Sequence, residues 1–561
     1  MSRSAERRIA LVETGDAHIA VELDAEGTEL GRRTLARDDA HVWIASVEET
    51  SSPRWVIRSA REAYPRLLHA GARLGRTHDL VLCHAILRDT ALLAEPLAAS
   101  RLWMPTTTEV EQPTLFDALI AETEHDPVDE VLQQYRAQLR ALSSAPDGRL
   151  ALLCAAESAG GLVAEEMRAG GLPWDAVTHD RILVDTLGER RMGGVPARMA
   201  ELAQSVRTEL GDEQVNLDSQ QKLLRALHRV GVLAESTSRW ELAEFDHPAV
   251  APLLAYKKLA RLLSANGWTW LADWVQDGRF RPVYIPGGVV TGRWASAGGG
   301  ALQLPRMLRP AVRADPGWRL IVADVAQLEP RMLAAMARDE AMAQAARGSD
   351  LYAGVVESGA VATREEAKYA VLGAMYGATT GDSGRLVPRL RKVYPKAMRL
   401  VDDAARTGED GGVVSTWLGR SSPKPPPAWL AMQAAASGAD ATAAVVREAQ
   451  RRARDRGRFT RNFIVQGTAA EWSLIWLAEI RHRLRALPAA ATPATASGPF
   501  AQAAHLAFFL HDEVILHVPA ESAEHAADAV REAAAVATER LFGSFPLDVP
   551  LDLRVAETAE K

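Results

Sequence analysis

A chain of 561 residues with a net charge of −7 and 47% hydrophobic residues is too long for one core, and its composition suits three or four globular domains. No apolar run is long enough to span a membrane, and the opening MSRSAERRIALVETG lacks the apolar stretch of a signal peptide, so a cytoplasmic location is expected. Cys83 and Cys154, far apart in apolar surroundings, suggest neither a disulfide framework nor a metal knuckle.

Residues 1 to about 165 mix strand and helix signals. RRIALVE and AHIAVELD predict strands joined by a turn at DAEG, and RWVIRSA and HDLVLCHA predict further strands with a helix, EAYPRLLHAGARL, between them. From about 166 to 275 the pattern is mainly helical. There QQKLLRALHRVGV is amphipathic behind VNLDSQ, with Asp218 or Ser219 as its N-cap. PAVAPLLAYKKLARLLSANGWTWLADWV predicts one or two helices with a basic face. WRLIVADV (318–325) predicts a strand ending in an aspartate, and LEPRMLAAMA a helix after it. EEAKYAVLGAMYG predicts a helix closed by glycine, SSPKPPP a rigid loop, and 486–499 a flexible low-complexity insertion. AFFLHDEVILHVP predicts a β-hairpin with HDE at its tip.

The acidic total conceals a basic stretch. Arg364 to Arg461 holds 18 Lys/Arg against 10 Asp/Glu, densest in REAQRRARDRGRFTR, which is either a phosphate-binding surface or a solvated helix face. Asp324 ends an apolar strand, and Asp512 and Glu513 lie at the turn of an apolar hairpin. Carboxylates in such places are costly to desolvate unless a cation meets them. If strand and hairpin share a sheet, Asp324 and Asp512 bracket a volume suited to Mg2+, and two such ions about 4 Å apart serve in-line phosphoryl transfer. Each motif alone is short and reads more readily as an exposed turn acid.

Five blocks alter that balance: TGRWAS (291–296), DVAQLEPR (324–331), REEAKYAVLGAMYG (364–377), RFTRNFIVQGTAAE (458–471) and HDE (511–513), with a softer VVSTWLGR (413–420). In this order the chain resembles the bacterial DNA polymerase I family (family A) from roughly residue 215 to its C-terminus. The resemblance implies a template-directed DNA polymerase of repair or gap filling. The implied fold is α/β multidomain: a right-hand polymerase, with an antiparallel palm sheet and helical fingers and thumb, behind an α/β RNase H-like exonuclease-type domain. The implied boundaries are 1–165 for the exonuclease-like domain, 166–290 for thumb and connection, 291–345 and 441–561 for the palm, and 346–440 for the fingers. Primer–template DNA and deoxynucleoside triphosphates are the implied partners of a monomer. Two Mg2+ ions are implied on Asp324 and Asp512, with Glu513 auxiliary.

Arg364, Lys368, Leu372 and Tyr376 recur every four residues and share one helix face. By resemblance, Arg364 and Lys368 bind the triphosphate, Lys368 is also a general acid toward pyrophosphate, and Tyr376 lies near the base. Leu372 stands where the family stacks an aromatic on the sugar. Glu329, paired with Tyr376, would exclude a ribose 2′-hydroxyl. Arg293, Arg458, Asn462 and Gln466 would donate to minor-groove acceptors present at every correct base pair. Thr416 and Arg420 are candidates for phosphate contacts, and Gln327 and His511 for contacts near the nucleotide and primer terminus.

Several positions depart from the family pattern. Besides Leu372, Val371 replaces an asparagine, and Val325, Ala326 and Pro330 alter the first aspartate block, which suits a slow repair enzyme. In the N-terminal region Asp24-Ala25-Glu26 has D-x-E spacing but sits at a turn. CHAILRD keeps Asp89 but has Ala85 for asparagine, and LLCAAESAGGL lacks the Y-x-x-x-D of a third nuclease motif. A degenerate nuclease domain, structural or DNA-guiding, is therefore expected. The alternatives are a bifunctional enzyme with a working nuclease, a non-catalytic DNA-binding relative, and a single-subunit RNA polymerase, which Glu329 with Tyr376 disfavours.

Overall fold

Buried apolar residues make strands of β1 (Arg8–Thr14) and β2 (Ala17–Leu23), and the mostly exposed β3 (Glu29–Ala36) pairs onto β2 to complete an antiparallel meander. This computed structural model describes residues 6–15, 17–104, 126–191, 194–377 and 381–560, so the first five residues of the expected leaderless start lie outside it. After α1 (Ala40–Ser51), β4 (Arg54–Ile57) pairs parallel to β1. After α2 (Ala60–His69), β5 (Arg76–Asp79) extends the sheet to the order β3-β2-β1-β4-β5. HDLVLCHA, expected as a strand, is one only to Asp79. The Asp79 carboxylate accepts from Leu82 N at 3.0 Å and starts α3 (Leu80–Asp89), so a cap overrides the apolar run. α4 (Pro127–Ser143) and α5 (Arg149–Gly170) follow. α5 runs through the boundary expected at 165 and is buried along most of its length.

Leu172–Pro282, Gly299–Ala314 and Glu557–Lys561 form a separate compact unit. It holds α6 (Ala176–Leu187), α7 (Ala197–Leu210), α8 (Gln220–Arg229), α9 (Arg239–Leu242), α10 (Val250–Asn266) and α11 (Trp268–Trp274). Their apolar stripes meet in a core that includes Leu183, Val206, Leu227 and Leu253. A small sheet, β6 (Leu172–Pro173), β7 (Val275–Gln276) and β8 (Arg279–Phe280), has the order β6-β8-β7. Ser219 occupies the N-cap position of α8 without a side-chain cap bond, while Asp218 accepts from the Tyr256 hydroxyl at 3.2 Å.

The other unit continues with a two-stranded ribbon, β9 (Tyr284–Ile285) and β10 (Ala295–Ser296). Its second sheet contains β11 (Trp318–Val325), β12 (His505–Leu510), β13 (Glu513–Pro519) and β14 (Leu551–Ala556), antiparallel in the order β12-β13-β11-β14. Between β11 and β12 run α12 (Leu328–Met336), α13 (Glu340–Ala345), α14 (Leu351–Glu357), α15 (Arg364–Tyr376), α16 (Gly381–Val393), α17 (Pro395–Glu409), α18 (Pro427–Ala436) and the 42-residue α19 (Ala443–Leu484). α20 (Ala523–Phe542) follows β13. Val371, Leu390, Val401 and Phe463 belong to one apolar core that joins α15, α16, α17 and α19.

The insertion at 486–499 is anchored, contrary to its composition. Trp318 Nε1 donates to the Thr492 carbonyl at 2.9 Å, Thr495 N donates to the Asp315 carboxylate at 2.7 Å, and Ala490 and Ala494 are buried. Among the described residues, no helix is long and apolar enough to cross a membrane.

Candidate active site

The hairpin and the central strand bring the two aspartates together. Asp324 pairs in register with Glu513, and Val325 N donates to the Asp512 carbonyl at 2.9 Å. The tight tip puts His511 at φ 57°. Burial pushes the Asp512 carboxyl up to about 7, and the negative charge of Asp324 adds to the rise. A buried acid held beside a second acid is an arrangement that a hard cation relieves.

The turn after Asp324 is pinned from below. Gln327 has φ 47°, and its side-chain carbonyl accepts from Leu351 N at 3.0 Å. The fully buried Arg331 donates to the carbonyls of Ala326 at 2.7 Å, Asp548 at 2.8 Å and Gly348 at 3.0 Å. Arg331 was not assigned a role from the sequence, although it closes the DVAQLEPR block; its signal is a cation just beyond a buried strand.

Opposite, Thr363 caps α15 and Gly377, at φ 75°, ends it. Arg364 is exposed and pairs with Asp350 at 2.6 Å, and its guanidinium lies 5.7 Å from the centre of the Tyr352 ring. Lys368 is exposed, whereas Leu372 is half-buried. The Tyr376 hydroxyl donates to Glu329 at 2.6 Å. Burial and that carboxylate push the Tyr376 phenol up. Arg293, expected to donate to the minor groove, instead makes a close ion pair with Glu329. A cavity of about 300 Å3 is lined by Arg293, Glu329, Leu372, Tyr376, His511 and Asp512. Burial and Arg293 push the His511 imidazole down to about 4, so it is neutral at physiological pH.

Arg458, Asn462 and Gln466 lie at four-residue spacing on α19. Arg458 is exposed and pairs with Asp455; Asn462 and Gln466 are half-buried, and the Asn462 Oδ1 lacks a hydrogen-bond partner among the described residues. Thr416 and Arg420 are engaged within the protein rather than presented to a phosphate. The buried Thr416 hydroxyl donates to Glu471, and Arg420 pairs with the buried Glu157. The 413–420 loop thereby ties α5 to α19 through side chains that a sequence motif presents as free donors.

In the N-terminal sheet the candidate nuclease acids have structural partners. Asp24 accepts from Glu26 N at 3.0 Å and Thr28 N at 2.7 Å, as a turn residue does. Asp89 ends α3 and pairs with Arg88. Where a third motif belongs, the buried Ser158 donates to the Cys154 carbonyl at 2.7 Å and accepts from Asp79 N at 3.0 Å.

The profile of DNA polymerase family A matches residues 189–560. Among curated relatives, the thermostable DNA polymerase I of Thermus filiformis is 26% identical over 392 residues, covering 62% of this chain and 41% of that protein. DNA polymerase I of Chloroflexus aurantiacus is 29% identical over 314 residues, covering 51% of this chain and 30% of that protein. The chain thus spans less than half the length of these relatives. Among solved structures, the POL domain of Pol1 from M. smegmatis, in complex with DNA primer-template and dNTP, matches with a TM-score of 0.67 at 18% identity. The match covers 99% of this chain and 96% of that one, and so shows the same fold.

Proposed function

Because the chain belongs to DNA polymerase family A, we propose that it adds deoxynucleotides to a primer 3′-hydroxyl under direction of a template strand, in DNA repair or gap filling. The observation that carries this reading is one cavity holding Asp512, which borders Asp324, together with the Glu329–Tyr376 pair and the open face of α15. A binding protein has no use for that combination. Primer–template DNA and deoxynucleoside triphosphates are the partners, and the enzyme acts as a cytoplasmic monomer.

The family is divalent-metal dependent in general, and the residues here fit such an ion. Asp512 is buried beside Asp324 with its carboxyl raised to about 7, which a bound cation would reverse. Asp324 and Asp512 would hold two Mg2+ ions, with Glu513 an auxiliary acid. Bound there, such ions would supply Lewis acidity to the phosphoryl transfer. Arg364 and Lys368 hold the triphosphate, and Lys368 Nζ delivers a proton to the departing pyrophosphate. Glu329, fixed by Tyr376 and Arg293, closes the space a 2′-hydroxyl needs. Arg458, Asn462 and Gln466 test the shape of the newest base pair, with Gln327 and His511 near the primer end.

Primer extension with Mg2+ tests the reading. Asp512→Ala is expected to lose at least about a thousandfold in rate with primer–template affinity retained. Equal incorporation by wild type and Asp512→Ala would sink the mechanism. The segment expected as 1–165 serves as a degenerate nuclease-type domain: a labelled primer incubated without nucleotides should keep its length. Metal-dependent shortening that persists in Asp324→Ala and Asp512→Ala would make the enzyme bifunctional instead.

A further inference from the structure

Leu372 and Tyr376 of α15 line the cavity, and Arg364 and Lys368 continue the same helix face at about 6 Å per step. Arg364 and Lys368 precede Leu372, and Tyr376 follows it. With phosphates on the first two and a base near the last, the sugar of a bound nucleotide falls opposite Leu372. A leucine offers no flat face there. The same cavity has another aromatic wall, Tyr352, from the first turn of α14. The residue is 7% exposed, so packing fixes its position. The Arg364 guanidinium already lies 5.7 Å from the ring centre, so the ring is accessible to a group of about that size.

We propose that Tyr352 is the aromatic platform for the sugar of the incoming nucleotide, covered by Arg364 until a triphosphate draws that guanidinium away. The proposal rests on the polymerase reading. Phosphate capture and sugar packing are then one exchange: the cation leaves the ring for the phosphates as the apolar face of the deoxyribose takes its place. The Asp350 carboxylate, 2.6 Å from Arg364, holds the cation on the ring in the absence of nucleotide.

Steady-state primer extension tests this. Tyr352→Ala is expected to raise the KM for dATP about tenfold while kcat changes less than about threefold. Tyr352→Phe, which keeps the ring, should recover most of that affinity, as should adding Leu372→Phe to Tyr352→Ala. Since Tyr352 is nearly buried, thermal midpoint and primer–template affinity are read on the same variants. A common fall in kcat, DNA affinity and midpoint that Leu372→Phe does not relieve would overturn the platform and leave a packing residue. An unchanged KM in Tyr352→Ala, or a Phe variant as weak as the Ala variant, would overturn it as well. If wild type fails to extend a primer, the polymerase reading falls separately. Equilibrium binding of dATP then decides the platform: weakened by Tyr352→Ala if it is right, unchanged if it is wrong.

Discussion

Glu329 accepts from Tyr376 and pairs with Arg293, so its carboxylate is fixed at the cavity wall from two sides. Removing it by Glu329→Ala is expected to raise ribonucleotide relative to deoxynucleotide incorporation at least about tenfold, read as the ratio of kcat/KM values. Tyr376→Phe leaves the Arg293 contact and should shift the ratio less. Glu471 lends itself to a pH experiment. Burial raises its carboxyl from the ordinary 4.5 to about 7. The folded chain therefore binds this proton more tightly than the unfolded chain, and stability is lost as pH rises from about 4.5 through 7. Glu471→Gln removes that loss, so its urea midpoint should gain on wild type between pH 6 and 8. Asp79 and Glu165, also raised to about 7, titrate in both proteins and cancel. The partnership of Glu329 and Tyr376 was legible in the ordered blocks. The diversion of Arg293, Thr416 and Arg420 to internal carboxylates was not, because each partner lies 36 to 263 residues away in sequence.

At the scale of elements, β11 and the hairpin could be read from their apolar length, except that Glu513 belongs to β13 rather than to the tip; their pairing and register could not. The register then delivers Asp324 opposite Glu513. α3 was missed because one cap residue outweighs an apolar run that suits either state. The 486–499 segment was misread because alanine and threonine contribute little to a periodic pattern yet pack well. α19 offers a packing experiment. A methyl at Gly467 would overlap the Thr416 methyl and stand 2.9 Å from the Thr291 carbonyl oxygen. Gly467→Ala should therefore cost about 1–3 kcal/mol by overpacking, seen as a drop in thermal midpoint. A midpoint at or above that of wild type would show that the 413–420 loop yields freely.

At the scale of the whole molecule, α5, which packs on the N-terminal sheet, and α19 are joined by a buried ion pair. Arg481 Nη2 donates to Glu166 at 2.7 Å, Arg481 Nη1 donates to the Gly75 carbonyl at 2.8 Å, and the Tyr64 hydroxyl donates to Glu166 at 2.6 Å. The Arg481 and Arg73 cations hold the Glu166 carboxyl down at about 2 against the cost of its burial. The contribution of Glu166 is complete above its ordinary 4.5 and is lost as pH falls toward 2. Arg481→Ala would strand that charge and is expected to cost about 3–5 kcal/mol, measured by denaturant unfolding at pH 7. The sheet order of the N-terminal domain was not legible, because strand sequence sets which residues pair well but not which neighbours a short strand chooses.

α19 has 42 residues and so spans about 63 Å. Its middle carries Arg458, Asn462 and Gln466, and its C-terminal end holds the Arg481 anchor. Removing residues 1–171 would therefore not be neutral for α19. Such a deletion would leave Arg481 without its carboxylate and its carbonyl acceptors, and the rod that carries these three residues would lose its far bearing. Residues 1–171 thus act as mechanical support for the rod, and the Tyr64–Glu166–Arg481 seam should tolerate substitution least.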